Sequence, residues 1–153
     1  MNLSPNIFRS DLRTATAADR DSITELLKTV DLPTSELDAH LTNFLVAYCG
    51  NRLAGCAGVE RYGKTALLRS LAVHPDYQGL GLGRKLAVAI LAEAKRTGAS
   101  DVVLLTHTAT DLARSLGFVE TTREALPPVV LESWEFRSDC CCKALCMRLS
   151  FRP

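Results

Sequence analysis

The chain has 153 residues, of which 47% are hydrophobic and 23% charged, and carries a formal net charge of +1. This is the size and composition of one globular domain over 1–153, with a core large enough to fold without disulfides or a structural metal, and it excludes a disordered chain. Near-zero charge points away from nucleic acid and anionic membrane as partners, no apolar run reaches the length of a membrane span, and the first ten residues lack a signal-peptide core, so the expected location is cytoplasmic.

Leu12–Ala15 reads as a short strand. Thr16 follows as a helix start, with Asp19 and Asp21 in the first turn and Ile23, Leu26, Leu27 and Val30 on one face. Asp31-Leu32-Pro33 ends this helix, because a residue before proline avoids the helical region. Ser35–Leu41 fits a second short helix capped by Thr34 or Ser35. Phe44–Cys49, Leu53–Glu60 and Ala66–Val73 are apolar and β-prone, and they are separated by Gly50-Asn51, which tolerates positive φ at both residues, and by Tyr62-Gly63-Lys64. They read as an antiparallel meander whose third strand is central.

His74-Pro75-Asp76 breaks that strand. Arg84–Thr97 carries Leu86, Ile90 and Ala94 on one helical face, with Ala87 and Leu91 beside them, and Gly98 stops it. Val102–Thr106 is a buried strand, so the strand–helix–strand order implies a parallel crossover. Thr110–Leu116 is a short helix closed by Gly117, Phe118–Thr121 is extended, Pro127-Pro128 opens a short helix carrying Trp134 and Phe136, and Ala144–Leu149 is the last strand. The six cysteines do not form a spread framework: Cys49 and Cys56 fall in strands, while Cys140, Cys141, Cys142 and Cys146 crowd one stretch. Reduced thiols are expected.

The stretch with chemical content is Gln78-Gly79-Leu80-Gly81-Leu82-Gly83-Arg84-Lys85, between a buried strand and a helix. Glycines let backbone approach a bulky anion, and the N–H groups of a first helical turn point at it. Arg84 and Lys85 add positive charge at a helix end that normally prefers acids, and an anion would relieve this. A Walker A loop would need Gly-Lys-Ser/Thr at the helix start. A dinucleotide fingerprint would need its first glycine earlier in the fold.

Leu71-Ala72-Val73-His74-Pro75-Asp76-Tyr77-Gln78-Gly79-Leu80-Gly81-Leu82-Gly83 closely resembles the central motif of the GNAT superfamily of acetyl-CoA-dependent N-acetyltransferases, and Leu116-Gly117-Phe118 matches a later family element. The resemblance runs from about Leu12 to Leu149 and implies an α/β (α+β) fold, a central splayed mixed β-sheet flanked by helices. It implies a pantetheine arm paired with the backbone of Leu71, Ala72 and Val73, and a pyrophosphate on the N–H groups of Gly79–Arg84. It also implies direct attack by the amine on the thioester in a ternary complex, with the carbonyl polarised by backbone N–H near Val73. A narrower resemblance, carried by Ala66–Val73, Thr106–Ala109 and Cys140–Met147, is to acetyltransferases linked to bacterial arsenic-resistance operons. The implied acceptor is a small-molecule amine, with an amino-acid-like toxin or an arsenical as candidates. No nucleic acid, membrane or metal is expected, and the protein is a monomer or a homodimer.

Glu60 reads either as a general base or as a solvated strand-end acid. The family often has a tyrosine where Ala113 stands, which leaves Ser115 as the nearby candidate for protonating the leaving thiolate. It often has asparagine where Thr106 stands, so that cofactor contact is weaker. Arg69 and Ser70 point to opposite faces of an ideal strand, so one of them would reach the substrate side, where an arginine could hold an acceptor carboxylate. His107 reads as a strand-end residue and His74 as a turn residue. Trp134 and Phe136 either cover the acceptor or pack in the core. Cys140, Cys142 and Cys146 read as small apolar residues, against the alternative of a non-catalytic, acetyl-CoA-binding metalloid sensor.

Overall fold

The computed structural model describes residues 12–138 and 143–151. Its elements are β1 (Leu12–Thr14), α1 (Arg20–Thr29), α2 (Leu37–His40), β2 (Phe44–Cys49), β3 (Arg52–Tyr62), β4 (Thr65–Val73), α3 (Leu82–Arg96), β5 (Asp101–Thr106), α4 (Thr110–Ser115), β6 (Val119–Glu120), α5 (Trp134–Arg137) and β7 (Leu145–Ser150). The strands form one seven-stranded sheet in the order β1-β2-β3-β4-β5-β7-β6. Its β4–β5 pair is parallel, while β1–β2, β2–β3, β5–β7 and β6–β7 are antiparallel, so the sheet is mixed as expected. Among the described residues no helix is long and apolar enough to cross a membrane.

Three local expectations are corrected. The second helix is capped by neither Thr34 nor Ser35: the chain turns into α2 through Glu36, held at φ 57°. Of the turn pair Gly50-Asn51 only Gly50 takes a positive φ, 64°. The long helix starts at Leu82 rather than Arg84.

The chain divides into two compact units, Met1–Val59 with Ser70–Ile90 and Glu60–Arg69 with Leu91–Pro153. In the first, Ile23, Leu26 and Leu27 of α1 pack with Phe44, Val46, Leu53, Cys56 and Ala72. Leu82 and Leu86 of α3 lie against Gly55 of β3, where a Cβ would meet Leu86 Cδ1 at 2.8 Å and the Ala72 carbonyl at 3.0 Å. Glycine there lets the helix lie close on the strand. Gly58 pairs across the ladder with Phe44, and a Cβ at Gly58 would clash with the Phe44 ring.

In the second unit, Leu67, Val103, Leu126, Val130 and Cys146 form the core, with Tyr62, Leu105 and Phe136 packed against it. The buried Asp101 holds the start of β5. It accepts from Thr65 Oγ1 at 2.6 Å and pairs with Arg148 of β7 at 2.6 Å. The β4–β5 ladder covers Thr65–Asp101, Ala66–Val102 and Leu67–Val103, while the strands continue to Val73 and Thr106.

Asp19 anchors the start of α1. It is buried and accepts two bonds from Arg13 at 2.8 and 2.9 Å, one from Thr16 N at 2.7 Å and one from Tyr48 Oη at 2.7 Å. The Arg13 guanidinium, helped by Thr16 and Tyr48 and opposed by burial, holds this carboxyl below the usual carboxylate range.

Two predictions follow from this packing. Gly58→Ala should lower stability by about 1–3 kcal/mol, read as a shift in the denaturant midpoint, because the added methyl must displace the fully buried Phe44 ring. Asp19→Asn should destabilise the protein near neutral pH on the order of 2 kcal/mol. Because the folded state lowers the pKa of Asp19, its contribution is complete above the unfolded value of about 3.9. The gap between wild type and variant should therefore shrink as pH falls below that value, in paired melts.

Candidate functional site

The chain leaves β4 through a tight, self-capped corner. The His74 N–H bonds the Ala54 carbonyl at 2.8 Å, and His74 Nδ1 accepts from Asp76 N at 3.1 Å, so His74 is the turn residue expected. Pro75–Tyr77 forms a single 3-10 turn. The Gln78 side chain folds back and donates to the Val73 carbonyl at 3.0 Å, which ties the loop to the strand end.

Gly79 and Gly81 then take φ values of 81° and 82°, and a Cβ at either would find no atom within 4 Å. Leu80 is half-buried, and Leu82 is buried at 1% exposure and holds the first residue of α3 in the core. The first backbone bond of the helix runs from Lys85 N to Gly81 O at 3.2 Å, so the N–H groups of Leu82 and Gly83 precede the helical ladder. Arg84 is exposed and Lys85 half-buried beside them. Open left-handed backbone before an α-helical start, with two cations in the first turn, is a sequence and backbone pattern suited to an anion. At Gly83 a Cβ would touch only Val73 Cγ2, at an ordinary 3.6 Å. Ala72 packs into the core, while Leu71 and Val73 are half-buried. These residues from Leu71 to Lys85 all belong to the first unit.

A second cluster lies in the second unit. β3 runs on to Tyr62, so Glu60 is neither at the strand end nor solvated: it is fully buried. Glu60 Oε2 accepts from Arg69 Nη1 at 2.8 Å, with both side chains 1% exposed, and Glu60 Oε1 accepts from the Tyr62 hydroxyl. Tyr62 reaches Glu60 because residues two apart on a strand share a face. Arg69 is therefore a buried partner of Glu60 and not a surface charge.

Strict alternation of Arg69 and Ser70 does not hold. Ser70 sits at φ 58° in the middle of β4, and both side chains are buried. Glu135 of α5 joins this charge cluster. Burial raises its carboxyl to about 7, with Arg69 opposing and Glu60 reinforcing the shift. Sequence reasoning missed Glu135, although an acid between Trp134 and Phe136 behind the cap residue Ser133 was a readable sign.

The other expected residues serve local structure. The Thr106 hydroxyl accepts from Ala109 N at 2.8 Å and Thr108 N at 3.3 Å, capping the loop into α4. Ser115 is exposed and donates its hydroxyl to the Leu112 carbonyl at 2.6 Å, which engages the proton that an acid would have to deliver. Ala113 is buried and His107 exposed. Phe136 packs on the core with Arg123 over its ring at 5.0 Å, while Trp134 is half-buried. Cys146 is a core residue whose thiol burial pushes up, against the pull of Arg123, so it is a poor thiolate ligand. Cys140, Cys141 and Cys142 lie outside the described residues.

Known proteins share this architecture. The N-acetylglutamate synthase of Neisseria gonorrhoeae, solved with coenzyme A and N-acetyl-glutamate, matches at TM-score 0.80 and 21% identity over 93% of this chain and 35% of its own. The ribosomal-protein-S18-alanine N-acetyltransferase of Escherichia coli matches at TM-score 0.70 and 23% identity over 93% and 95%. At these identities the likeness is one of fold. In sequence, an amino-acid acetyltransferase of Ralstonia nicotianae is 30% identical over 138 residues, covering 83% of this chain and 31% of that protein. The corresponding enzyme of Escherichia coli is 27% identical over 76% of this chain and 28% of its own length. The chain thus spans about a third of the curated relatives it matches. The family model for the acetyltransferase (GNAT) domain matches residues 40–120, which include β2, β3, β4, the glycine loop, α3, β5 and α4. The chain belongs to the GNAT acetyltransferase family, whose enzymes transfer an acetyl group from acetyl-CoA to an amine.

Proposed function

We propose that residues 1–153 act as one acetyl-CoA-dependent N-acetyltransferase domain on a small, amino-acid-like amine, by direct attack in a ternary complex. The observation that carries this reading is the open, left-handed pair Gly79 and Gly81 leading into α3, within the stretch matched by the family model. Acetyl-CoA, when bound, supplies the acetyl group as an activated thioester. Gly79, Leu80, Gly81, Leu82, Gly83 and Arg84 would hold its pyrophosphate through backbone N–H groups, with charge from Arg84 and Lys85. The backbone of Leu71, Ala72 and Val73 would hold its pantetheine arm, and an N–H near Val73 would polarise the carbonyl. Gln78 contributes by fixing the loop on Val73, and Thr106 by shaping the loop before α4.

Glu60 and Arg69 are assigned together. Glu60 is the base proposed for the acceptor amine, and Arg69, its buried partner at 2.8 Å, is the proposed substrate-side cation. Ser70 would shape β4 beside them, and Ser115 is kept as the candidate proton donor to the departing thiolate, a role its bond to Leu112 disfavours. The amino-acid-like acceptor is supported by the curated relatives, which are amino-acid acetyltransferases. The arsenical variant rests on the narrower resemblance in Ala66–Val73, Thr106–Ala109 and Cys140–Met147.

A thiol-release assay with acetyl-CoA over amino acids, arsenic-bearing amino acids and simple primary amines tests the reading. Turnover with at least one amino-acid-like amine is expected, and none across the panel would reject it. Gly83→Ala tests the pyrophosphate assignment. A methyl here meets the protein at an ordinary distance, so the fold should be unaffected, while coenzyme A affinity should fall about tenfold or more, or about 1.4 kcal/mol, by calorimetry. Unchanged affinity in the folded variant would move the pyrophosphate elsewhere. Gly81→Ala is the weaker test, because its backbone strain of about 1–2 kcal/mol would act without any ligand.

A further inference from the structure

The corner between β4 and the glycine loop holds a hydrogen-bonding conflict. His74 Nδ1 lies 3.1 Å from the backbone nitrogen of Asp76, and His74 Nε2 lies 3.1 Å from Arg52 Nη2 of β3. Both neighbours can only donate. A neutral imidazole has one nitrogen that accepts and one that donates, so it satisfies one of the two and not both. Arg52 is already paired with the Asp76 carboxylate at 2.8 Å, and its guanidinium lies over the Tyr77 ring at 5.7 Å. The lone pair therefore goes to Asp76 N, where it caps the Pro75–Tyr77 turn, and Nε2 carries the proton.

A second proton changes every contact of the ring. Nδ1 loses the lone pair that caps the turn. The imidazolium then stands 3.1 Å from the Arg52 guanidinium, which repels it, and 3.9 Å from Asp76 Oδ2, which attracts it. His74 and Arg52 compete for one carboxylate. The other titratable groups at the corner are Tyr77, whose ring meets His74 edge-on at 6.0 Å, and Cys49 of β2, which shares a hydrogen bond with the Tyr77 side chain.

The glycine loop continues directly from this turn. Tyr77 N donates to the His74 carbonyl at 2.8 Å, and Gln78 folds onto the Val73 carbonyl at 3.0 Å. The turn that the neutral ring caps thus sets how the chain enters Gly79 and Gly81. All of these residues belong to the first unit.

We propose that His74 is a proton-operated latch on the glycine loop. The neutral ring caps the turn and leaves Asp76 to Arg52. The protonated ring takes Asp76, releases Arg52 and uncaps the turn, which loosens the loop around a bound anion. This rests on the acetyltransferase reading, which gives the loop the pyrophosphate of coenzyme A. Histidine is the side chain suited to change charge between about pH 5 and pH 8, so affinity for coenzyme A should fall as the solution is acidified through that range.

His74→Asn tests the latch in the full chain. The asparagine amide oxygen can accept from Asp76 N and does not titrate, so the turn stays capped at every pH. By calorimetry, the two proteins should bind coenzyme A within about twofold of each other at about pH 8. On acidification to about pH 5.5 the wild type should lose about threefold or more beyond the loss of the variant, which accounts for the ligand's own phosphate titration. Equal losses would overturn the proposal. So would a wild-type affinity that rises on acidification relative to the variant, the result of simple attraction between a cationic ring and an anion. If wild type binds no coenzyme A at about pH 8, the acetyltransferase reading fails at this loop, and the latch is judged by nuclear magnetic resonance of the free protein. Amide signals of Asp76, Gly79 and Gly81 that titrate with the His74 ring in wild type and stay flat in His74→Asn uphold it, whereas signals that ignore the ring reject it. Should His74→Asn not fold, His74→Ser, whose hydroxyl can also cap the turn, replaces it under the same outcomes.

Discussion

Parallel strands β4 and β5 are pinned at one end and released at the other. Asp101 makes the pin. It accepts from Thr65 at the start of β4 and pairs with Arg148 of β7, so three strands meet on one buried carboxylate. Beyond Leu67 and Val103 the ladder ends, although β4 continues to Val73. An edge of strand backbone past the end of a ladder can accept an extended partner, and that is the role the family reading gives to Leu71, Ala72 and Val73.

The chemistry divides along the chain. The stretch from Gln78 to Lys85 owes its form almost wholly to backbone: two left-handed glycines and an α-helical start held in place by Leu82 in the core, the pattern on which the proposed anion site rests. Glu60, Tyr62, Arg69 and Glu135 form the opposite case, side chains whose properties depend on burial. Exposed, these acids and this arginine would be ordinary solvated charges. Enclosed, Glu60 and Arg69 become a pair that neither can leave without exposing the other to a large desolvation cost, and Glu135 becomes an acid that titrates near neutrality.

Much of the fold was legible from pattern. Periodicity of 3.6 placed α1 and α3, apolar runs placed β2 to β5 and β7, and glycines at 50, 63, 98 and 117 marked chain reversals where positive φ is observed. The glycine loop and its helix were legible because a backbone anion site needs only composition and order. Glu36 at φ 57° and Ser70 at φ 58° were not, since nothing local distinguishes them from neighbours with ordinary geometry.

The amino-acid sequence by itself determined the order of the elements, the mixed α/β class and the position of the glycine turn before α3, because each follows from interactions between residues close in the chain. Only the tertiary structure decided which charges matter. Glu60 read as either a base or a solvated strand-end acid until β3 was seen to run past it and bury it, and Arg69 read as either a substrate-side residue or a surface charge until its guanidinium was found buried on Glu60. Glu135 did not stand out at all, since it lies 66 positions or more along the chain from both of the charges that set its protonation. Desolvation and charge–charge interaction depend on distance in space and on burial, and neither is written in the local sequence.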